Sequence, residues 1–341
     1  MSKKLNNNLK KILLIGGTGY LGAHAAVALT EAKFEVVLYD NLSNSKRTVL
    51  DDLKKIIGTQ PAFIYGDVRE TGKLEKTLKD FEIDAVIHFA GLKAVGESVK
   101  RPIHYYDNNL IGTISLLKAM SGSRVRTLIF SSSATVYGKP EYLPLDEKHP
   151  TSAINPYGRS KLQIEEILAD VSKADESWSI TCLRYFNPVG AHSSGLIGES
   201  PNDIPNNLMP YITLVASGDL PYLNIYGNDY DTADGTGVRD YIHVMDLAKG
   251  HVESLKFLKE KKGFHLFNLG AGKGYSVFEM IKTFEMVSGK KIPYKISTRR
   301  KGDVAECYAN VDKAATIMGW KATQTLEDMC RSAWSFQKNK Y

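Results

Sequence analysis

The chain has 341 residues, 43% of them hydrophobic, so it is long enough for about two domains with buried cores. The net charge of +6 is modest, and the basic residues form only short clusters, so nucleic acid is excluded as a partner. Three widely separated cysteines and scattered histidines predict neither a disulfide framework nor a structural metal.

The N-terminal segment gives no sign of membrane targeting. Met1–Lys11 is polar and basic, without the apolar region of a signal peptide, and the apolar run Ile12–Ile15 is too short to span a bilayer. We therefore expect a cytoplasmic protein in a reducing setting, with no membrane partner.

Short apolar strands alternate with helix-like segments through the first half of the chain. The predicted strands are Lys11–Ile15, Glu35–Tyr39, Ala62–Tyr65, Ala85–Phe89, Thr127–Phe130 and Ile180–Tyr185. The predicted helices are Ala23–Ala32, Thr71–Phe81, Asn109–Met120 and Ser160–Lys173. This alternation with short connections predicts the α/β class, with a Rossmann-type doubly wound parallel sheet.

The pattern changes after residue 187. Pro188–Pro210, rich in Gly, Ser, Asn and Pro, and Asp229–Gly237, rich in Asp, Thr and Gly, are predicted loops. The predicted strands around them are Tyr222–Tyr226 and His265–Leu269, and the predicted helices are Val244–Leu258 and Ser276–Val287. We predict a Rossmann domain at 1–187 and a smaller α/β C-terminal substrate domain at 188–341, with segments around 239–272 packing back on the first.

A glycine-rich turn follows the first strand and opens the first helix. Gly16, Gly19 and Gly22 are spaced for a tight turn, close backbone approach to a pyrophosphate, and packing of helix on strand. The N–H groups at the start of such a helix favour phosphate. Asp40 ends the second strand, where an acid binds ribose hydroxyls and favours NAD over NADP. The sequence therefore predicts bound NAD.

Other residues are placed to line the same crevice. Asn41, Asn44 and Lys46 follow Asp40 and are candidates for the adenosine end, and Asp67 is a candidate for the adenine. Small residues in Phe89-Ala90-Gly91 end a strand where the dinucleotide is expected to pass.

Tyr157 and Lys161 form a candidate proton shuttle. A spacing of four places them on one face of a helix. The pKa of a phenol is normally near 10, and a neighbouring ammonium favours the phenolate, as does a positively charged nicotinamide ring. Ser131, Ser132 and Ser133 end a strand at the predicted crevice, and Ser133 is placed to bind both the reacting hydroxyl and Tyr157.

These motifs, with others in the second half, resemble the extended short-chain dehydrogenase/reductase family, and within it the UDP-sugar 4-epimerases. The resemblance covers nearly the whole chain. The resembling stretches are Gly16–Gly22, His88–Ser98, Tyr105–Asn109, Ser131–Gly138, Pro156–Lys161, Leu183–Ala191, Ile204–Tyr211 and Asp234–Asp246.

The resemblance implies sites for NAD and for a UDP-sugar substrate. The positions implied for NAD are Gly16, Gly19, Tyr20, Leu21, Gly22, Asp40, Asn41, Asn44, Ser45, Asp67, Val68, Phe89, Ala90, Gly91, Lys93, Asn108, Ser131, Tyr157, Lys161 and Tyr185. Those implied for the UDP-sugar are Ser133, Tyr157, Phe186, Asn187, Asn207, Leu208, Asn224, Tyr226, Arg239, Tyr241, Arg300, Asp303 and Cys307. Forked donors on Arg239 and Arg300 suit a diphosphate.

The reaction implied is interconversion of UDP-glucose and UDP-galactose at C4, through a transient 4-keto sugar, with Ser133, Tyr157 and Lys161 catalytic. The resemblance also implies a homodimer formed by two helices of each subunit, Arg101–Met120 and Ser160–Ala174. A small residue at Cys307, where some epimerases carry tyrosine, implies that N-acetylated UDP-sugars are also accepted.

Two other functions are compatible with a dinucleotide fold. A nucleotide-sugar 4,6-dehydratase needs an acid and a base to eliminate water, normally an Asp-Glu pair after the threonine of the serine strand. Here Thr135 is followed by Val136, without a carboxylate. A non-catalytic NAD-binding sensor would keep the glycine turn and Asp40 but has no use for Ser133, Tyr157 and Lys161 together.

Overall fold

The computed structural model describes residues 9–200, 205, 207–300 and 302–340. Parts of the predicted loop Pro188–Pro210 and of the stretch Ile204–Tyr211, at 201–204 and 206, lie outside the described residues. The strands are β1 Lys11–Ile15, β2 Glu35–Asp40, β3 Ala62–Tyr65, β4 Ala85–His88, β5 Thr127–Ser133, β6 Ser179–Tyr185, β7 Asn187–Val189, β8 Leu223–Tyr226, β9 Val238–His243, β10 Gly263–Leu269, β11 Gly274–Ser276, β12 Tyr294–Ser297 and β13 Glu306–Cys307.

Helices separate most of these strands. They are α1 Tyr20–Glu31, α2 Val49–Ile57, α3 Thr71–Asp80, α4 Val95–Lys100, α5 Pro102–Tyr105, α6 Gly112–Ser123, α7 Pro156–Ala174, α8 Leu208–Ser217, α9 Val244–Glu260, α10 Val277–Ser288, α11 Asp312–Ile317 and α12 Leu326–Lys338. No helix in the described part of the chain is both long enough and apolar enough to cross a membrane.

The main sheet has seven parallel strands in the order β10-β6-β5-β4-β1-β2-β3. The order 3-2-1-4-5-6 of the first six strands is that of a Rossmann fold, so the predicted doubly wound parallel sheet is confirmed. The strand order reverses between β1 and β4, and ligands bind at the carboxyl ends of the strands beside such a point.

Successive residues of the central strands point to opposite faces of the sheet. In β1, Leu14 belongs to the core formed with α1, α2 and α9, whereas Leu13 belongs to the core formed with α3, α6 and α7. Both faces are covered by helices, which explains why the strand sequences are continuously apolar rather than alternating.

The second half contributes to both parts of the molecule. The strand β10 pairs with β6 at the edge of the main sheet, and α9 packs against α1. The remaining strands form two small sheets, one joining β7, β11 and β13 to β9, the other pairing β8 with β12.

The helix predicted at Asn109–Met120 begins differently in the structure. A π-helical turn spans Tyr106–Ile111, and α6 starts only at Gly112. The extra residue in this turn accompanies the burial of the Asn109 side chain, which faces the loop after β4. Such π turns are frequent at functional sites.

Candidate active site

The glycine turn is packed so tightly that Gly16 and Gly22, among others, have no room for a side chain. Gly16 has a φ of +80°, and a Cβ there would lie 2.7 Å from the Ala90 nitrogen. A Cβ at Gly22 would lie 2.2 Å from the Gly16 carbonyl oxygen. A Cβ at Gly19 would have a single neighbour, that same oxygen, at 3.4 Å. The turn therefore brings α1 and β4 together while one side of Gly19 stays open.

The helix that follows has free donors at its start. Gly19 precedes α1, no side chain caps its first turn, and that turn has no acidic residue. Uncapped N–H groups and the positive end of the helix dipole form a site for phosphate groups, so this turn fits the pyrophosphate of NAD. The hydroxyl of Tyr20, one of the predicted contacts, donates to the Gly190 carbonyl at 2.8 Å and so connects the turn to the second half of the chain. Leu21, another predicted contact, lies in the first turn of α1.

Asp40 is fixed beside this turn by backbone donors. One carboxylate oxygen accepts from the Thr18 amide at 3.1 Å and the other from the Leu42 amide at 2.8 Å. The Thr18 hydroxyl in turn bonds the Ser45 hydroxyl at 2.7 Å, and Asn44 is exposed beside it. A half-buried carboxylate at the end of β2 suits the two hydroxyls of a ribose.

The carboxylate of Asp67 is held at the end of β3 by two side chains, of which Asn41 was predicted to lie at the site and Arg69 was not. Asn41 donates to it at 3.0 Å, and Arg69 donates to both of its oxygens at 2.9 Å. Hydrogen bonds from Arg69 hold the pKa of Asp67 well below its ordinary value. Arg69 also binds Asp107 at 2.5 Å, which links the end of β3 to the π-helical turn. Val68 is buried next to this pair.

Asn109 is a second residue that the prediction missed, since the predicted contact was its neighbour Asn108. The Asn109 amide bonds both backbone groups of Leu92, at 2.8 and 3.0 Å, and its oxygen accepts from Asn108 at 3.0 Å. It thereby fixes the loop Phe89-Ala90-Gly91 over the carboxyl end of β4. A Cβ at Gly91 would lie 3.6 Å from the Lys161 Nζ, so this loop reaches the predicted catalytic lysine.

Lys161 is buried at the carboxyl end of β5. Its Nζ donates to the Ser131 carbonyl at 2.6 Å and lies 6.0 Å from the centre of the Tyr157 ring. Burial lowers the pKa of Lys161 to about 8, although Cys182 and Glu165 oppose this shift. The pair therefore has the predicted placement on one face of α7.

Tyr157 differs from expectation in its pKa. Burial raises the pKa of the phenol above its ordinary value, and the Ser133 hydroxyl and the Lys93 ammonium oppose this shift. The Lys161 ammonium donates to the Ser131 carbonyl and not to the phenol. The side chains of this site alone therefore keep Tyr157 a neutral phenol, and further positive charge at the ring is needed for it to act as a base.

A buried ion pair between Glu165 and Arg184 supports the end of β5, which carries the three serines. Glu165 accepts from the Ser132 hydroxyl at 2.5 Å and from Arg184 at 2.6 and 3.0 Å, and both members of the pair are buried. Ser132 stands between Ser131 and Ser133, so this network fixes the strand end that carries both. Glu165 follows Lys161 by four residues, so the sequence alone places the two side chains on the same face of α7.

Strand pairing connects the catalytic residues to the predicted sugar-binding residues. Ser133 pairs with Tyr185 between β5 and β6, and the chain continues through the buried Phe186 into β7. There Asn187 pairs with Tyr241 of β9. Two residues earlier in β9, Arg239 pairs with Cys307 of β13. Cys307 and Phe186 belong to the same apolar cluster.

The other predicted substrate contacts surround the two-stranded sheet. Asn224 and Tyr226 lie on β8, and the Arg300 guanidinium lies 5.0 Å from the centre of the Tyr226 ring. Arg300 also donates to Asp303 at 2.9 Å. The neighbouring Arg299 binds Asp229 and packs on the Tyr230 ring.

Glu199 connects the cofactor side to the substrate side and was missed by the sequence analysis. A single carboxylate oxygen accepts from the Lys93 ammonium at 2.9 Å and from the Asn207 amide at 2.8 Å. Lys93 follows β4, whereas Asn207 precedes α8, whose first residue is Leu208. In the described residues no group of three or more metal-ligating side chains is placed to hold a metal ion.

Residues 13–333 match the family model described as GDP-mannose 4,6 dehydratase. A UDP-glucose 4-epimerase from Homo sapiens is 53% identical over 336 residues, covering 96% of this chain and 97% of the relative.

Solved structures show the same relationship. A UDP-glucose 4-epimerase from Stenotrophomonas maltophila, with bound NAD and formylated UDP-arabinopyranose, superposes with a TM-score of 0.95 at 47% identity, covering 97% of this chain and 98% of that one. A UDP-glucose 4-epimerase from Bifidobacterium longum, in complex with NAD+ and UDP, superposes with a TM-score of 0.94 at 51% identity, again covering 97% and 98%.

Proposed function

The chain belongs to the UDP-glucose 4-epimerases, within the larger family named GDP-mannose 4,6 dehydratase, and on that premise we propose that it interconverts UDP-glucose and UDP-galactose with bound NAD. It is an isomerase that inverts C4 of the sugar through a transient 4-keto sugar. The observation that carries the proposal is the grouping of Ser133, Tyr157 and Lys161 at the carboxyl end of β5, beside the loop that holds Gly91.

Tyr157 is the proton acceptor and donor of this reaction. It takes the proton from the 4-hydroxyl of the sugar and returns it after the sugar has turned, while the Ser133 hydroxyl binds the same oxygen. Bound NAD supplies the reversible redox chemistry at C4 and positive charge close to the phenol. Because burial raises the pKa of Tyr157, the residue readily holds the proton until it is returned.

Lys161 and the loop after β4 keep the reacting groups in place. The bond from Lys161 to the Ser131 carbonyl fixes the ammonium at the base of the site, where Lys161 would hold a ribose hydroxyl of the cofactor. We assign NAD contacts to residues 1–187 and UDP-sugar contacts to 188–341, together with Ser133 and Tyr157. Of the segments around 239–272, β10 pairs with β6 and α9 packs on α1, which supports grouping them with the first part, whereas β9 lies in the small sheet with β7, β11 and β13.

The UDP half of the substrate supplies most of the binding energy. Arg239 and Arg300 donate to the diphosphate, Asp303 accepts from ribose hydroxyls, and Asn207 and Asn224 bind the polar edges of the uracil. Tight binding of this remote part retains the 4-keto sugar, and a weaker grip on the hexose lets it turn over before reduction.

A 4,6-dehydratase is not favoured, despite the name of the family model. The Ser133 hydroxyl accepts two hydrogen bonds from Thr135, one from its backbone amide at 3.2 Å and one from its side-chain hydroxyl at 2.9 Å. The residues of this short turn are Ala134, Thr135 and Val136, which offer no carboxylate for removing water across C5 and C6.

The same chain supports two finer proposals about its setting. It acts in the cytoplasm as a homodimer whose interface includes Arg101–Met120 and Ser160–Ala174. The support for the dimer is a run of exposed apolar side chains on and before the first of these segments: Val99 is 62% exposed and Ile103 is 83% exposed. Exposed apolar residues grouped in this way are typical of a protein interface.

We also propose that N-acetylated UDP-sugars are substrates. Cys307 is a small side chain that packs in the same apolar cluster as Phe186 and pairs with Arg239, and a small residue at this position supports the proposal. This extension stands apart from the main reaction, because it concerns the size of the hexose pocket only.

A coupled assay with UDP-galactose, and separately with UDP-N-acetylgalactosamine, tests the function without added NAD. Conversion of UDP-galactose supports a 4-epimerase with retained NAD. Conversion of neither sugar, even with NAD supplied, would reject the proposed reaction. Conversion of UDP-galactose alone would reject only the extension to N-acetylated sugars.

A further inference from the structure

His251 lies behind the cofactor side of the site and reaches it from the second half of the chain. It is carried by α9, which packs on the main sheet next to β6. Its side chain is 1% exposed. No motif of the glycine turn or of the catalytic segment includes this histidine.

The two ring nitrogens of His251 have different and fixed roles. Nδ1 lies 2.9 Å from the Leu247 carbonyl oxygen, which only accepts, so Nδ1 carries the proton. Burial lowers the pKa of His251 to about 4, so the ring is neutral and Nε2 carries no proton. Nε2 is therefore an acceptor, and the Tyr185 hydroxyl donates to it at 2.5 Å.

This bond fixes the direction of the Tyr185 hydroxyl. The hydroxyl has one proton, which is donated to His251, so its oxygen has only acceptor lone pairs left for any other partner. Tyr185 pairs with Ser133 across the two strands, which places it next to the catalytic residues. The His251 ring also packs against Phe89, with ring centres 4.9 Å apart.

Tyr185 and Phe89 are both assigned to NAD, so a single buried imidazole supports two walls of the cofactor site. We propose that His251 is a positioning residue for the cofactor, which fixes the rotation of the Tyr185 hydroxyl and the position of the Phe89 ring. This inference rests on the proposed function, because it takes Tyr185 and Phe89 as contacts of NAD. His251 itself acts through these two side chains.

A double-mutant cycle on NAD affinity tests the proposal. NAD is titrated into wild type, His251→Leu, Tyr185→Phe and the double variant after the retained cofactor has been removed. His251→Leu should weaken NAD binding about tenfold, the change expected for one hydrogen bond of ordinary strength. In the Tyr185→Phe background the same substitution should have a smaller effect on NAD affinity, because only the contact of His251 with the Phe89 ring is then lost. His251→Gln, whose amide oxygen also accepts, should recover part of the loss.

A second buried hydrogen bond between α9 and β6 provides a matched control. Ser254, one turn further along α9, bonds the Thr181 hydroxyl of β6 at 2.6 Å, and both groups are buried. Ser254→Ala should lower the melting temperature as His251→Leu does, without changing NAD affinity. Equal losses of NAD affinity in Ser254→Ala, or a full effect of His251→Leu in the Tyr185→Phe background, would overturn the proposal.

Failure of the inference is distinguishable from failure of the proposed function. Wild type that binds NAD but does not convert UDP-galactose would reject the proposed function and leave the coupling of His251 to Tyr185 intact. Full epimerase activity without that coupling would reject the inference alone.

Discussion

Lys161 directs its ammonium at the backbone carbonyl of Ser131, 2.6 Å away, and not at the phenol of Tyr157. The lysine therefore fixes the strand end and supplies charge at the base of the cleft, while the groups that lower the pKa of Tyr157 are Ser133 and Lys93. Two cations, on different elements, thus serve one proton-transfer site.

Lys161 should limit activity at alkaline pH. Burial lowers its pKa to about 8, so its ammonium is present below that pH and is lost as the pH rises through it. We expect kcat/KM for UDP-galactose to fall above pH 8 by about tenfold per pH unit in wild type. The residual activity of Lys161→Met should lack this alkaline limb. An identical limb in the variant would show that another group titrates there.

The glycine turn offers a test of cofactor binding that separates ligand contact from folding. Gly19→Ala places a methyl group where the protein itself leaves room, so folding should be nearly normal, whereas a pyrophosphate against the backbone would be displaced. We expect the melting temperature of the cofactor-free protein to change little and NAD affinity to fall at least tenfold.

Gly22→Ala is the comparison for Gly19→Ala, because its methyl group would overlap the Gly16 carbonyl. This variant should lose both stability and NAD. Normal NAD retention by Gly19→Ala would contradict the placement of the pyrophosphate at this turn. Both variants are compared by thermal unfolding and by the NAD released on denaturation.

Glu199 should act mainly on substrate binding. Glu199→Gln keeps the size of the side chain but removes the charge that pairs with Lys93 and weakens the acceptor for Asn207. We expect KM for UDP-galactose to rise about tenfold, since a charge-assisted hydrogen bond contributes more than a neutral one. Steady-state kinetics measure kcat and KM separately, and a fall in kcat with KM unchanged would contradict a role of Glu199 in substrate binding.

The sequence predicts strands β1 to β6 of the main sheet well because their signals are local. Buried parallel strands have continuous apolar runs, and the glycine turn has a fixed spacing, so β1 to β6 and the turn are readable from the chain. Glu199, Arg69 and His251 were missed because each also binds a residue that is far away in the sequence. Glu199 is 106 residues from Lys93, Arg69 is 38 residues from Asp107, and His251 is 66 residues from Tyr185. No periodicity marks such pairs.

Acid should destabilise the protein through its buried histidines. Burial lowers the pKa of His24 and His88 to about 3 and that of His251 to about 4, whereas the unfolded chain titrates near 6.5. The contribution of the neutral histidines to the free energy of unfolding is complete above pH 6.5, and it is lost as the pH falls toward their pKa values in the folded protein. Each should lower the free energy of unfolding by about 2 kcal/mol between pH 7 and pH 5.

Asp240 opposes this trend. Burial raises its pKa to about 6, so its contribution is complete below the unfolded value and is lost as the pH rises through 6. Urea unfolding at pH 7, 6 and 5 measures the combined effect of the histidines and Asp240 on the free energy of unfolding. His24→Gln should make the fall in this free energy between pH 7 and pH 5 smaller. Unfolding free energies that are independent of pH over this range would contradict the neutral state of the histidines.

Cys307 should set the size of the hexose pocket. Cys307→Tyr adds a ring beside Phe186, where the structure has a small side chain in an apolar cluster. Overfilling a packed site typically costs about 1–3 kcal/mol, so turnover of UDP-N-acetylgalactosamine should fall at least tenfold. UDP-galactose lacks the acetamido group and should be converted at a rate close to that of wild type. Cys307→Ala keeps the space and should convert both sugars. Parallel losses for the two sugars in Cys307→Tyr would show that the ring disturbs the site as a whole, and would remove Cys307 as the determinant of specificity.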